Sequence, residues 1–239
     1  MATQKIQTPA KAPRSKYVIN DNTPFIITEA YKMARTNLIF SLSTTDKKII
    51  YFTSSGPGEG KSTTCVNMAI TLANLGSKVI IIDSDLRKPT IHKLLKLNNS
   101  KGLSSIVSSQ CSINDVRNVS VRANLDVITS GPIPPNPSEL MASAKMATVL
   151  DLLKNKYDYI CIDTPPVNIV SDALSFNNTT AGCIFVIREG QTTHGAIAKA
   201  ISSIKQTNGK ILGIMKVGCN PNGKNSKGYS YNYEYEYKS

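Results

Sequence analysis

One short glycine-rich stretch constrains the fold of this chain more than any other feature. Residues 55–63 read Ser-Gly-Pro-Gly-Glu-Gly-Lys-Ser-Thr, between a predicted strand at 48–53 and a predicted helix from about 62 to 75. Strand, loop and helix in this order predict a phosphate-binding loop, because glycines let backbone N–H groups approach phosphates and the helix N-terminus adds partial positive charge. The predicted nucleotide-binding residues are Gly56, Gly58, Glu59, Gly60, Lys61, Ser62 and Thr63. Lys61 would reach the β- and γ-phosphates of ATP, and Ser62 would hold Mg²⁺.

Two acidic stretches further along the chain complete a candidate site. Asp83 and Asp85 follow the apolar run 79–82, and Asp163 ends the run 159–162. Parallel strands would bring both ends beside the loop, where Asp163 could hold Mg²⁺ directly or through water. Of the other two carboxylates, one would serve the metal and one would orient or deprotonate an attacking hydroxyl. Aspartate at a strand end is otherwise a common helix cap or turn former.

Short apolar strands alternate with helical stretches along most of the chain. The further predicted strands are 125–129, 157–163, 182–187 and 211–215, and the further predicted helices are 28–41, 136–154 and 193–206. This alternation predicts an α/β fold of the P-loop NTPase kind, a three-layer sandwich whose mostly parallel central sheet carries helices on both faces. The predicted division is a flexible segment at 1–24, one phosphate-binding domain at 25–220 and a flexible tyrosine-rich tail at 221–239.

Composition limits the class of protein. The net charge is +12, but the basic residues are scattered and no nucleic-acid-binding motif occurs, so nucleic acid is not an expected partner. The five cysteines form no CxxC pair, which indicates buried thiols in a cytoplasmic protein. Residues 1–24 are too polar for a signal peptide, and the longest apolar runs are too short to span a bilayer. Membrane association would therefore go through a partner or a surface.

The last residues contain half of the tyrosines of the chain. Tyrosine stands at every second position from 229 to 237, in the sequence Tyr-Ser-Tyr-Asn-Tyr-Glu-Tyr-Glu-Tyr. Such alternation fits an edge strand, but the other residues of this stretch are polar and the preceding residues 220–228 are polar and glycine-rich. The composition favours an exposed tail that offers tyrosine hydroxyls.

Taken together, these motifs resemble one family, the bacterial tyrosine autokinases, in the Gram-positive form whose cytoplasmic kinase is separate from its membrane activator. The matching stretches are PGEGKS at 57–62, IIIDSDLRKP at 80–89, GPIPPNPSEL at 131–140, IDTPP at 162–166 and the terminal tyrosines. The resemblance implies an ATP- and Mg²⁺-dependent protein-tyrosine kinase that regulates capsular or exopolysaccharide synthesis. It implies that Lys61 and Arg87 act on phosphate charge, that Asp83 activates the tyrosine hydroxyl, and that Asp85 and Asp163 hold the metal with Ser62. The implied autophosphorylation sites are Tyr229, Tyr231, Tyr233, Tyr235 and Tyr237.

The resemblance also implies partners. Glu29, Lys32 and Arg35 match a helical motif through which members of the family assemble into rings, with lysine here in place of the middle arginine. It further implies a homo-oligomer joined through helix 28–41 and the tail, a membrane-embedded activator at the inner face of the plasma membrane and a cognate tyrosine phosphatase. Two other interpretations remain open. One is a P-loop ATPase switch of the partition and positioning type, although such proteins carry a second lysine where this chain has Gly56. The other is a non-catalytic adaptor whose tail another kinase modifies.

Overall fold

The structure is a computed structural model that describes residues 14–46 and 48–219. Seven strands in this part of the chain form one sheet: β1 Ile49–Ser54, β2 Val79–Asp83, β3 Arg117–Arg122, β4 Leu125–Ile128, β5 Tyr159–Asp163, β6 Gly182–Arg188 and β7 Ile211–Val217. Their spatial order is β3-β4-β2-β5-β1-β6-β7. Every neighbouring pair is parallel except β3 with β4.

Helices cover both faces of this sheet. They are α1 Phe25–Leu42, α2 Lys61–Ala73, α3 Ile91–Leu95, α4 Leu103–Val107, α5 Ile113–Val116, α6 Pro137–Met141, α7 Ala144–Lys154 and α8 His194–Gln206, with 3₁₀ turns at Arg14–Tyr17 and Ser171–Phe176. Helices α1, α2 and α3 contribute to the core on one face, and α4 to α8 contribute to the core on the other. The predicted three-layer α/β fold is therefore confirmed.

The strands are apolar on both sides because both faces of the sheet are buried. In β1, Ile50 and Phe52 join the core under α1 and α2, whereas Ile49 and Tyr51 join the core under α7 and α8. All four side chains are at most 5% exposed. Burying a side chain of this size contributes about 1.5–3 kcal/mol, so the continuous apolar runs are what hold the sheet between its two helical layers.

The segment before α1 is folded in its described part, where the sequence predicts flexibility. Val18 and Ile19 are buried and join the core beneath α2. The Asn67 side chain in α2 accepts a hydrogen bond from the Ile19 N–H at 2.9 Å and donates one to the Tyr17 carbonyl at 2.9 Å. Within the predicted flexible segment 1–24, residues 17–19 are therefore held against α2 by two buried apolar side chains and two hydrogen bonds.

Two predicted helices have other bounds in the structure, and one strand was not predicted. Helix α1 begins at Phe25 rather than Thr28, because the carbonyl of Pro24 accepts the first turn's hydrogen bonds. The predicted helix 136–154 is two helices, and the second starts where Ser143 Oγ accepts from the Met146 N–H at 3.2 Å. Strand β3 was not predicted, since its residues are half exposed at the sheet edge and its register shifts between Asn118 and Arg122.

No helix within residues 14–46 and 48–219 is long and apolar enough to cross a membrane. All five cysteines are free thiols, and Cys65, Cys161 and Cys183 are buried in the core as expected. The tyrosines at 229–237 and the segment 1–13 lie outside the described residues.

Candidate active site

The predicted site residues converge where β1, β2 and β5 end. Asp83 pairs in register with Asp163 across β2 and β5, and Asp163 pairs with Phe52 in β1. The glycine-rich loop leaves the same end of β1 two residues later. Parallel pairing thus places both acidic strand ends beside the loop, as the sequence predicts.

The loop depends on glycine at two positions. Gly58 and Gly60 have φ angles of 79° and 96°, a region that other residues enter only with strain. A Cβ on Gly60 would lie 3.0 Å from a methyl carbon of Val217 in β7. The backbone can follow this path because these positions carry no side chain.

Glu59 has a role that the sequence did not reveal. Its carboxylate accepts hydrogen bonds from the backbone N–H groups of Ser55 and Gly56 at 2.9 and 3.0 Å and from the Ser55 hydroxyl at 2.8 Å. Because this side chain is buried and turned into the loop, it fixes the loop from within. Any contact of Glu59 with a nucleotide would therefore go through its backbone.

Helix α2 starts from this loop with an open N-terminus. Gly60 is the N-cap residue and supplies no side chain, and the first turn contains no acidic residue. The N–H of Thr64 bonds to the Gly60 carbonyl at 2.9 Å, which leaves the N–H groups of Lys61, Ser62 and Thr63 without an intrahelical acceptor. Such a helix end attracts anions, so the geometry suits the phosphates of a nucleotide.

Lys61 lies between two of the carboxylates. Its Nζ is 2.8 Å from Asp85 Oδ2, 3.4 Å from Asp163 Oδ1 and 3.3 Å from Ser62 Oγ. Burial lowers the pKa of Lys61, but the charges of Asp163 and Asp85 outweigh burial and hold this pKa above its ordinary value. The side chain is therefore a fixed positive charge in a nearly closed site.

Asp83 and Asp163 are completely buried. Burial, with the nearby charge of Asp163, raises the pKa of Asp83 to about 8, although its carboxylate also accepts the N–H groups of Thr90 and Ile91 at 3.2 and 3.0 Å. Burial likewise raises the pKa of Asp163 to about 6, while the charge of Lys61 opposes the shift. Perturbed carboxylates next to a lysine are typical of functional sites.

The residues fit a nucleotide-linked Mg²⁺ site. Asp163 Oδ2 is buried and has no hydrogen-bond partner among the described residues, and Ser62 Oγ and Asp85 Oδ2 both lie within 3.4 Å of Lys61 Nζ. Across the part of the chain that the structure describes, no group of three acidic, histidine or cysteine side chains is arranged to hold a metal alone. Mg²⁺ commonly takes one or two carboxylates and completes its shell with phosphate oxygens and water, so this donor set suits it.

Arg87 is engaged elsewhere. Its Nε is 2.9 Å from Asp172 Oδ2, and its Nη2 is 2.9 Å from Ser138 Oγ, which donates to Asp172 Oδ1 at 2.6 Å. The bond to Asp172 raises the pKa of Arg87. Arg87 therefore ties the loop after β2 to the 171–176 turn and to α6, and among the described residues it forms no hydrogen bond or ion pair with Lys61 or the site carboxylates.

The predicted assembly residues also have partners within the chain. Lys32 Nζ and Glu29 Oε1 form an exposed ion pair of 2.7 Å on α1. Arg35 Nη1 donates to the Thr71 carbonyl in α2 at 3.0 Å. Arg35 thus holds α1 against α2, a contact that spacing along one helix does not reveal.

Two residues near the loop escaped sequence reasoning. Gln191 Nε2 donates to the Pro57 carbonyl at 3.1 Å, and the Arg188 guanidinium lies beside Gly60. Arg188 ends β6 and Gln191 follows it, and the carboxyl end of β6 lies at the same edge of the sheet as those of β1 and β5. Extending the strand-end rule to β6 would have found them.

The chain is similar in sequence and fold to known proteins. A family model described as AAA domain matches residues 47–214. The tyrosine-protein kinase YwqD of Bacillus subtilis is 40% identical over 190 residues, which are 80% of this chain and 80% of that protein.

Two solved structures are also similar. The kinase domain of the Escherichia coli tyrosine kinase ETK superposes with a TM-score of 0.79 at 31% identity, covering 90% of this chain and 87% of that one. The chimerical protein CapA2B2 gives a TM-score of 0.76 at 38% identity, covering 82% and 85%. With the loop, the strand-end aspartates and the fold all in agreement, the chain belongs to the family of bacterial tyrosine kinases.

Proposed function

We propose that the chain transfers the γ-phosphate of ATP, with Mg²⁺, to tyrosines of its own C-terminal tail. The observation that carries this proposal is the convergence of Lys61 with Asp83, Asp85 and Asp163 around the open N-terminus of α2. A fixed cation and a phosphate-binding helix end suit phosphoryl transfer, in which positioning and charge stabilisation do most of the catalysis.

Each residue has a distinct task in this proposal. The loop and the first N–H groups of α2 hold the phosphates. The ammonium group of Lys61 leaves its ion pairs with Asp85 and Asp163 and binds the β- and γ-phosphate oxygens. Ser62, Asp85 and Asp163 would hold Mg²⁺, which supplies charge neutralisation and orientation of the phosphates when bound. Asp83, in its ionised form, takes the proton of the tyrosine hydroxyl. The hydroxyl oxygen then forms a bond to the γ-phosphorus as the bond to the bridging oxygen of ADP breaks.

The position where the described chain ends supports the tail as substrate. Cys219 follows β7, whose carboxyl end lies at the same edge of the sheet as the site. Ten residues separate Cys219 from Tyr229, a reach of at most about 36 Å. Four strand spacings separate β7 from β2, roughly 19 Å. The tail is therefore long enough to reach its own site.

Assembly is a further part of the proposal. Ile26, Met33 and Phe40 recur every seven residues on α1 and are 64%, 68% and 72% exposed, so they form an apolar stripe suited to a second subunit. Unmodified tails would dock into neighbouring sites and help hold a ring. Residues 221–239 carry three lysines and two glutamates, a net charge of +1. Five phosphotyrosines would change this to about −6.5 to −9, which would repel the tails from the acidic sites and favour dissociation.

The wider role follows the family. We infer that the kinase regulates synthesis and export of capsular or exopolysaccharide, from the cytoplasmic face of the membrane. A membrane-embedded activator would recruit it there, and a cognate tyrosine phosphatase would reset the tail. Light scattering tests the assembly step, since full phosphorylation should reduce the oligomer, and an unchanged oligomer would contradict it.

The experiment that tests the chemistry is autophosphorylation mapped by residue. Purified protein is incubated with γ-labelled ATP and Mg²⁺, with Asp83→Ala and a variant whose five tail tyrosines are phenylalanine as comparisons. We expect label on Tyr229–Tyr237 in the wild type and none in either variant. Steady phosphate release without protein label would instead favour the ATPase switch. Full labelling of purified Lys61→Met protein would reveal an external kinase.

A further inference from the structure

The turn between β6 and α8 places a guanidinium against the phosphate-binding loop. Arg188 Nη1 lies 3.8 Å from the point that a Cβ on Gly60 would occupy, and Arg188 Cζ lies 3.6 Å from the corresponding point on Gly218. Both glycines have positive φ angles, 96° and 76°. The lack of side chains at these two positions leaves the space in which the guanidinium lies.

The backbone of this turn is held in place by several hydrogen bonds. The Arg188 N–H donates to Thr192 Oγ1 at 2.8 Å, and the Arg188 carbonyl accepts the N–H of Thr192 at 2.9 Å. The Glu189 N–H donates to the Val217 carbonyl of β7 at 3.0 Å, and Gln191 joins the turn to the Pro57 carbonyl. Arg188 thus projects from a fixed base that is tied to the loop itself.

Among the described residues, no carboxylate forms an ion pair with Arg188. Its guanidinium makes no hydrogen bond or ion pair within residues 14–46 and 48–219. Glu189, the adjacent acid, pairs with Lys216 at 2.7 Å. Lys61 differs, since two carboxylates neutralise it. An arginine with five unused donors beside an anion-binding helix end is suited to bind phosphate.

The order of the strands indicates which part of a nucleotide Arg188 faces. Asp83 and Asp163 end β2 and β5 on one side of β1, whereas Arg188 ends β6 on the other side. A nucleotide held by the loop after β1 therefore has its transferred phosphate towards β5 and its remaining part towards β6.

We propose that Arg188 is a nucleotide-binding residue whose guanidinium pairs with a non-transferred phosphate of the bound nucleotide. This rests on the proposed kinase function, because it presumes a nucleoside triphosphate in the loop. Arg188 then contributes to nucleotide affinity and leaves the transfer step to Lys61 and the aspartates.

Calorimetric titration with ADP tests the assignment on the full chain. We expect Arg188→Ala to weaken ADP binding by about tenfold to a hundredfold, as for loss of a charge-assisted hydrogen bond, and to make the affinity less dependent on salt. Arg188→Lys should recover part of the loss, because lysine keeps the charge without the planar fork. Lys154→Ala, which removes an exposed cation from the last turn of α7, should leave ADP binding unchanged.

Kinetics separate a binding role from a structural one. In autophosphorylation, Arg188→Ala should raise KM for ATP while kcat stays within about threefold of the wild type. Unchanged ADP affinity in Arg188→Ala would overturn the proposal, and so would a fall in kcat at constant KM. If Arg188→Ala weakens ADP binding and also lowers the melting temperature, while the salt dependence of ADP binding stays the same, Arg188 has a structural role instead. If the wild type binds ADP but labels no tyrosine, the kinase proposal fails while the ADP titration still decides the role of Arg188.

Discussion

Replacing Arg87 with alanine tests whether this arginine joins loops or serves phosphate. The structure gives it two partners, Asp172 and Ser138, and the Asp172 side chain is 2% exposed. Removing one member of a fully buried ion pair costs about 3–5 kcal/mol, because the other charge is left without a partner. The Arg87 side chain is 40% exposed, so water already screens the pair and can partly replace it. We therefore expect Arg87→Ala to lower the free energy of unfolding by about 2 kcal/mol.

The assay is thermal unfolding of the nucleotide-free chain within a double-mutant cycle. In a domain of this size, 1 kcal/mol corresponds to about 2–4 °C, so Arg87→Ala should lower the melting temperature by about 4–8 °C. Arg87→Ala, Asp172→Asn and the double variant should show a coupling of about 1 kcal/mol or more. Lys154→Ala is the matched control, because its ion pair with Asp151 is exposed and is worth less than about 1 kcal/mol.

Two results would refute this reasoning. A melting temperature of Arg87→Ala within about 1 °C of the wild type would show that the contact with Asp172 does not support the fold. A coupling near zero would show that the two side chains act independently. Unchanged stability combined with a large loss of kcat would instead assign Arg87 to phosphate, as the family resemblance implies.

Three further predictions follow from the site and the segment before α1. The pKa values of Asp83 and Asp163 are higher in the folded state than in the unfolded chain. The contribution of these two groups to the free energy of unfolding is therefore fully present below about pH 4 and is lost as the pH rises towards about 8. In chemical denaturation of the metal- and nucleotide-free chain, the free energy of unfolding should therefore fall with rising pH, by at most about 1.4 kcal/mol per pH unit for each group. Asp83→Asn should make this fall smaller, and a free energy of unfolding that rises with pH would contradict the prediction. Gly60→Ala should destabilise the chain by about 1–3 kcal/mol through left-handed strain, whereas Gly195→Ala in α8, with open space around it, should not; equal melting temperatures of the two would refute the strain. Asn67→Ala should release the segment before α1 and speed its cleavage by trypsin, and wild-type cleavage rates would show that the two Asn67 hydrogen bonds do not hold it.

Sequence reasoning succeeded where the physics is local. The glycine-rich loop and the strands on either side of it carry their own signals, because backbone φ and apolar runs are properties of neighbouring residues. The meeting of Asp83 with Asp163 was also predictable, since parallel strands align their carboxyl ends. These rules gave the fold and the position of the site.

The remaining contacts depend on packing between distant segments. Arg87 stands 85 residues from Asp172, and Arg35 stands 36 residues from Thr71, so no spacing along one element indicates either bond. Glu59 resembles a loop residue that faces a ligand, yet its carboxylate folds back onto two N–H groups four and three residues earlier. Such choices are decided by which unpaired groups the folded chain brings within reach.

The measurement that tests the central claim most directly is the fate of the γ-phosphate in a single turnover. Excess protein is mixed with γ-labelled ATP and Mg²⁺, and the label on tyrosine is compared with the label released as free phosphate. The proposed transfer from ATP to a tyrosine hydroxyl, at the loop, Lys61 and the three aspartates, predicts that most of the label reaches Tyr229–Tyr237 and that Lys61→Met abolishes this transfer. Label that appears only as free phosphate, with an unmodified tail in the presence and absence of a candidate activator segment, would contradict the account.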